Sequence, residues 1–426
     1  MSVLDILKPP AARVPAPLGH VPGIVDLPIP DRVLISLEYR GQILFRPLVQ
    51  AGDEVARYQV IGRSERDNFI HASISGKVVE LKSLWSARGF HIPVVVIEKG
   101  DAPPLEGDEL LRQCDIDPQS ATRMDLLRAG GVISPWTLPG PNDSEVDVEG
   151  YPEITQVVIK GVNQEPTISS LSLQLRTHTG EMQEALRRLA EIVPQARILL
   201  TVSETDAQWA GETFAGLAEV TPLPNDFRGR VERKVVRRLT GIKVPNTASF
   251  RTGGVAVVSS ERLLDMYDAL EGRPFIRKSV TISAGNEFTP VTVRAFVGTP
   301  IGELLASQNL VVEEGDRVIM GGPMTGFTQF TLDTPLSKFQ SGIHVIRARD
   351  IVADVNLNCV NCGRCTQTCS VNLQVHLIAR CVEFDQLADA QNYHPEACIG
   401  CGLCAYVCPA HRPLVQMITM ASQYGG

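Results

Sequence analysis

The sequence predicts a multidomain α+β chain made of four successive units, and three observations carry that reading. Residues 31–100 alternate short β-rich runs with turn residues. Residues 115–245 alternate strand and helix signals, the rhythm of a parallel sheet with flanking helices. The cysteines gather in the last fifth of the 426 residues, between Cys359 and Cys408, with Cys114 standing apart.

Composition narrows the class. Hydrophobic residues make up 44% and charged residues 21%, the balance of a folded globular chain rather than a disordered one. Apolar runs such as Ile92–Ile97 are strand-sized, well short of the ~20 residues that span a bilayer. The opening Met1-Ser2-Val3-Leu4-Asp5 lacks the basic and apolar regions of a secretory signal. The net charge of −8 argues against a nucleic-acid partner, which requires a basic footprint.

Taken in order, residues 1–30 are proline-rich (Pro9-Pro10, Pro28-x-Pro30) and are expected to wrap over the surface. Residues 31–105 form the first unit, with runs such as Val33-Leu34-Ile35, Gln59-Val60-Ile61-Gly62 and Ser75-Gly76-Lys77-Val78-Val79. Their pattern is similar to the lipoyl/biotinyl-type barrel-sandwich hybrid. Carriers of that fold hold their cofactor on a hairpin lysine, but the corresponding Ser64–Asn68 has none, so a scaffold is expected. Residues 115–250 read as a Rossmann-like α/β domain: strands at Val157–Ile159 and Ile198–Val202, an amphipathic helix from Gly180 to Ile192, and a basic helix from Val231 to Leu239 closed by Gly241. Residues 251–345 return to β, with a short helix led by Pro300 and a tight loop at Gly321–Gly326. A linker near 340–355 leads to the last unit, residues 350–426.

The cysteine spacing names the chemistry of that unit. Cys359, Cys362, Cys365 and Cys369 form C-x2-C-x2-C-x3-C, and Cys398, Cys401, Cys404 and Cys408 repeat it. Structural zinc, the alternative, usually takes two CxxC pairs across a longer loop. Three cysteines with two-residue gaps wrap three corners of a [4Fe-4S] cube, and in two-cluster ferredoxins the fourth comes from the other run. One cluster is therefore assigned to Cys359, Cys362, Cys365 and Cys408, and the other to Cys398, Cys401, Cys404 and Cys369. The insert at 370–397 reads as two helices, so the unit is an α-helical two-cluster ferredoxin domain. Cys381 and Cys114 read as buried structural thiols. His411 reads as a surface or near-cluster residue. The basic run Arg228, Arg230, Arg233, Lys234, Arg237 and Arg238 reads either as a docking stripe for an acidic redox partner or as a solvated helix face.

Together with "VIMGGPMTG" (318–326), "PLSKFQSGIHVI" (335–346), "RRLTGIKVP" (237–245) and "CAYVCPAHRPLVQ" (404–416), these features make the chain resemble the RnfC-like family of the Rnf (Rsx) ion-translocating electron transport complex over nearly its whole length. The resemblance implies a β-grasp (SLBB-like) fold for 251–345. It implies a cytoplasmic protein docked peripherally on membrane-embedded partners at the inner membrane, passing electrons among NADH, FMN, iron–sulfur carriers and a redox protein such as ferredoxin or a flavoprotein. One departure bears on FMN and NADH. The family's G-x-G-G-A-G-F-P-T run corresponds here to Gly130-Gly131-Val132-Ile133-Ser134-Pro135-Trp136-Thr137-Leu138-Pro139-Gly140, and its acidic N-[GA]-x-E-C-E-P to Gly161-Val162-Asn163-Gln164-Glu165-Pro166. Gly130, Gly131 and Glu165 are the remnants. The added bulk and the proline imply loss of the usual phosphate cradle, with a remodelled FMN/NADH site as the alternative. The expected role is single-electron relay through the two clusters. FMN-dependent NADH oxidation, or reduction of a corrinoid or microcompartment enzyme, stand as alternatives.

Overall fold

The structure, a computed structural model, describes residues 23–39, 43–86, 89, 91–105, 107–132, 153–285, 288–351 and 356–424. Most of the proline-rich segment and the Ile133–Gly140 stretch lie outside these residues.

After β1 (Ile24–Asp26) come β2 (Arg32–Ser36), β3 (Glu38–Tyr39), β4 (Ile43–Leu44), β5 (Arg46–Pro47), β6 (Glu54–Val55), β7 (Val60–Arg63), β8 (Phe69–His71), β9 (Gly76–Trp85) and β10 (His91–Lys99). Strands β2-β10-β9-β6 make one antiparallel sheet and β5-β7-β8 another. Both supply one core, through Val33, Ile35 and Ile97 from the first and Ile61 and Ile70 from the second. The Ser64–Asn68 hairpin is fastened down: Arg63 reaches Asp67 at 2.7 Å and Asp115 at 2.5 Å.

Helices α1 (Glu109–Gln113) and α2 (Arg123–Ala129) lead into the parallel sheet. A capping box of Thr122 and Asp125 starts α2, satisfying amides that its first turn cannot. Then come β11 (Gln156–Lys160), α3 (Ser170–Thr177), α4 (Thr179–Ile192), β12 (Arg197–Ser203), α5 (Ala207–Thr213), β13 (Glu219–Leu223), α6 (Glu232–Thr240), β14 (Val255–Ser259) and α7 (Ser260–Leu270). The sheet order is β13-β12-β11-β14, all parallel. Val157, Val158 and Ile159 are all buried, as expected of a strand covered on both faces. Helix α4 buries Met182, Ala185, Leu186 and Leu189, one stripe at helical spacing. Gly241, at φ +73, ends α6 in the left-handed region that glycine adopts without strain. The expected boundary at 250/251 is wrong. β14 pairs with β11 and α7 covers the sheet, so the α/β unit runs on to Leu270.

The third unit holds β15 (Arg277–Ala284), β16 (Val291–Phe296), α8 (Ile301–Ser307), β17 (Arg317–Met320), β18 (Phe327–Gln329) and β19 (Gly342–Ile346). The order is β1-β16-β15-β19-β17-β18. Two expectations change here. β1 leaves the N-terminal segment to pair with β16, extending this sheet. Residues 342–346, expected in a linker, are a central strand between β15 and β17.

The last unit comprises α9 (Arg364–Thr368), α10 (Val375–Glu383), α11 (Leu387–Ala390), α12 (Leu403–Tyr406) and α13 (Leu414–Tyr424). Val375, Ile378, Leu414, Ile418 and Ala421 form its core beside Cys369 and Cys404. No helix among the described residues is long and apolar enough to cross a membrane.

Candidate metal centre

The two cysteine runs fold alike. The residue after each second cysteine, Gly363 (φ +69) and Gly402 (φ +78), is left-handed and starts a short helix carrying Cys365 or Cys404. The residue before each second cysteine is left-handed too: Asn361 (φ +52) and Gly400 (φ +62). Paired left-handed turns coil each run tightly. Asn361, which cysteine spacing alone does not single out, does for the first run what Gly400 does for the second. Asparagine is the common non-glycine residue in that region, and this is the signal that points to it.

The fourth cysteine of each run crosses to the other. Cys359, Cys362, Cys365 and Cys408 line one apolar cavity. Cys408 and Cys362 both act electrostatically on Cys365. Cys369 acts on Cys398, Cys401 and Cys404. Burial, ahead of every other influence, pushes the thiols of Cys365, Cys398, Cys401 and Cys404 above their ordinary range. Backbone amides point at sulfur: Leu373 N donates to Cys369 Sγ at 3.3 Å and Gly400 N to Cys398 Sγ at 3.4 Å. Among the described residues, no three His, Cys, Asp or Glu side chains converge as closely as a single metal ion requires. A cubane spreads its thiolates over four iron corners. All-sulfur sets with amides donating to them fit such a cluster, and the group would supply one-electron chemistry when bound. Cys362 is exposed, whereas Cys369 and Cys404 are buried, so the first set lies nearer the surface.

The second set is sealed against the rest of the molecule. Gly402 abuts the Gly321–Gly326 loop so closely that a Cβ there would lie 2.4 Å from Met324 O. The same loop is held by Glu165, whose carboxylate accepts from Met324 N at 3.3 Å and Thr325 Oγ1 at 2.5 Å. Burial raises the Glu165 pKa, and these hydrogen bonds pull against it. Gly322 has no room for a side chain beside that carboxylate. Lys234 on α6 lies within electrostatic reach of Cys401 and Cys369, although burial and Arg228 push its ammonium downward.

Among the described residues, Gly130, Gly131 and Glu165 do not come together as a phosphate cradle. A cavity of ≈ 170 Å³ does lie where Lys160 ends β11 and Ser259 ends β14, at the point where the strand order reverses. Asn163 and Gln164 line it and Glu165 does not. The amides of Gly130, Gly131 and Val132 all donate to carbonyls of α2, those of Leu126, Arg128 and Leu127. Lys338, over the Phe275 ring at 5.1 Å, reaches Gly131 O at 3.4 Å. A Cβ at Gly130 would strike Ala269 at 2.3 Å. These glycines close a helix and let it pack on α7, and they do not fit as phosphate donors.

Cys114 is buried, its thiol pushed up to about 12 by burial. Cys381 is only half-buried, against the full burial expected. His411 is exposed, and its carbonyl accepts from Asn356 N. The basic run divides. Arg230 donates to Asn163 O, Pro224 O and Asn225 Oδ1, and Arg233 to Pro245 O and Ala248 O, while Arg237 and Arg238 are exposed. It is neither a continuous stripe nor wholly solvated.

Residues 19–102 match the family described as RnfC Barrel sandwich hybrid domain, and residues 351–409 the 4Fe-4S dicluster domain family. The chain is 30% identical over 379 residues to the corresponding subunit of the ion-translocating oxidoreductase complex of Pseudomonas aeruginosa, covering 85% of this chain and 49% of that one. It thus spans about half the length of that relative. It is 28% identical to a subunit of the proton-translocating ferredoxin:NAD(+) oxidoreductase complex of Clostridium ljungdahlii, over 83% of this chain and 79% of that one. It is 27% identical to the Na(+)-translocating counterpart of Acetobacterium woodii, over 86% and 83%. With an RnfC barrel-sandwich match first, a 4Fe-4S dicluster match last and this similarity running through both, the chain is similar to the C subunits of ion-translocating oxidoreductase complexes.

Proposed function

We propose that this chain is an iron–sulfur electron-transfer subunit of an Rnf-type complex, relaying single electrons through two [4Fe-4S] clusters. One cluster is held by Cys359, Cys362, Cys365 and Cys408, the other by Cys398, Cys401, Cys404 and Cys369. The observation that carries this reading is the crossing of the fourth cysteines, which divides eight thiols into two sets of four. The relatives' names, with ferredoxin and NAD+ as the substrates of their complexes, supply the partners: membrane-embedded subunits and a ferredoxin-like donor or acceptor. Attachment to the inner membrane is then peripheral and cytoplasmic, through those subunits. The third unit is read as a β-grasp, SLBB-like fold, because β15–β16, α8 and a β19 parallel to β15 reproduce its order. The chain's own residues set where each thiolate sits, bury Cys369 and Cys404 of the second set and leave Cys362 of the first exposed to a partner. NADH oxidation through FMN is not assigned to this chain, since the amides of 130–132 are spent on α2.

Anaerobically purified protein should hold about eight irons, as two cubes require. Cys408→Ser should remove the same electron paramagnetic resonance signal as Cys365→Ser, and Cys369→Ser the same signal as Cys398→Ser. Four irons, or Cys408→Ser removing the signal lost in Cys398→Ser, would overturn the assignment.

A further inference from the structure

At the junction of the first three units, four arginines surround a cavity of ≈ 340 Å³ that contains no cysteine and shares only Asp265 with the switch-point cavity. Arg57 comes from the turn after β6, Arg273 from the loop after α7, Arg277 from β15 and Arg294 from β16. Their charge is only partly met. Arg273 grips Asp268 at 3.0 and 2.6 Å, and Arg277 meets Asp26 at 2.8 Å. Among the described residues, neither Arg57 nor Arg294 has an acidic partner, and the buried Arg57 Nε has no acceptor. Asp265 adds little negative charge, because burial pushes it up to about 8. An adjoining furrow brings Glu181 and Glu261, but these face His178 at 3.7 Å and Lys278 respectively. Burial above all pushes Arg277 down; Asp26 and Tyr58 oppose this, while Arg294 and Arg57 add to it.

A second, independent observation lies in the same wall. Tyr58 has φ +79, in the left-handed region where a bulky aromatic residue is a true outlier. Its amide donates to Ala72 O, and Gln59 N to Ala56 O closes the turn around it. Glycine is the residue that position favours. Such strain persists only where the surroundings over-determine it, and here Arg57 lies over the Tyr58 ring at 5.2 Å. Guanidinium forks match phosphate oxygens, and the volume falls at the small end of ligand pockets, which start at roughly 300 Å³.

We propose that this junction binds a small organic phosphate of two or more negative charges, such as a nucleoside diphosphate, with Arg57 and Arg294 on the phosphates and Tyr58 against the organic part. The ligand clamps the barrel-sandwich unit to both neighbours.

Calorimetric titration of the full-length, cluster-loaded protein at low salt tests this with ADP, inorganic pyrophosphate and citrate. ADP and pyrophosphate should bind, and citrate at least tenfold more weakly. Arg57→Gln and Arg294→Gln should each weaken ADP about tenfold or more, while Lys160→Gln, in the switch-point cavity, should change it less than about twofold. Tyr58→Gly should raise the melting temperature yet weaken ADP more than pyrophosphate. Iron content equal to wild type in every variant separates these effects from loss of clusters. Absence of binding, equal affinity for citrate, or binding lost in Lys160→Gln but kept in the arginine variants overturns the proposal.

Discussion

Asn361 shows how one residue controls whether a cysteine run can coil. Its φ of +52 is matched by Gly400 in the second run, yet only the second position is a glycine. Asparagine tolerates this region and β-branched residues resist it strongly, by roughly 1–2 kcal/mol for each left-handed position. Asn361→Gly should therefore leave iron content at its wild-type value. Asn361→Val should lower it toward that of a single-cluster protein, with the second cluster's resonance signal intact. Equal iron in both variants would show that this backbone position does not shape the first set. The same reasoning explains what the sequence could and could not say about glycine. At Gly130 and Gly131 it reads as remnants of a flavin and NADH site. Their amides close α2 and Gly130 packs against Ala269, a contact with an element far away in the chain.

Elements whose pattern is local were legible, and those defined by their neighbours were not. Helix α4 announced itself because its apolar stripe repeats every three to four residues. Spacing likewise suggests the crossing of Cys369 and Cys408, because a run of three cysteines with two-residue gaps reaches only three corners of a cube. Strand β19, in contrast, is five residues long, opens on Gly342 directly after Ser341, and nothing local distinguishes it from a linker. Its place in the sheet is set by pairing with β15 and β17. β14 was likewise assigned to the wrong unit, since only its register with β11 says where it belongs. The Gly321–Gly326 loop was legible as tight, but its contact with Gly402 was not. Gly402→Ala should place a Cβ 2.4 Å from Met324 O and force a left-handed alanine. The expected cost is about 2–4 kcal/mol, seen as a lower melting temperature. Gly180→Ala, where nothing lies within 4 Å of the added Cβ, is the control and should be neutral or stabilising. Equal melting temperatures for Gly402→Ala and wild type would mean that the seam between the units is loose.

Across the whole molecule, the two cysteine sets sit in unlike surroundings, and this gives a relay its asymmetry. The first set has the exposed Cys362 and an apolar cavity at its edge. The second is shut behind Met324 and Glu165 and has Lys234 of α6 as its cationic neighbour. Reduction adds negative charge to a cluster, so a nearby ammonium stabilises the reduced form and raises the potential. Burial strengthens that influence by lowering the local dielectric. Lys234→Met removes the charge and keeps most of the apolar stem that packs on the helix face. It should lower the midpoint potential of the second cluster by on the order of 50 mV while moving the first far less, because no charge near Cys359, Cys362, Cys365 or Cys408 has changed. Redox titration followed by electron paramagnetic resonance reads both clusters in one sample. Lys234→Arg should restore the potential. A uniform shift of both clusters, or no recovery with arginine, would show that Lys234 acts through general folding rather than as the charge that sets the two sets apart.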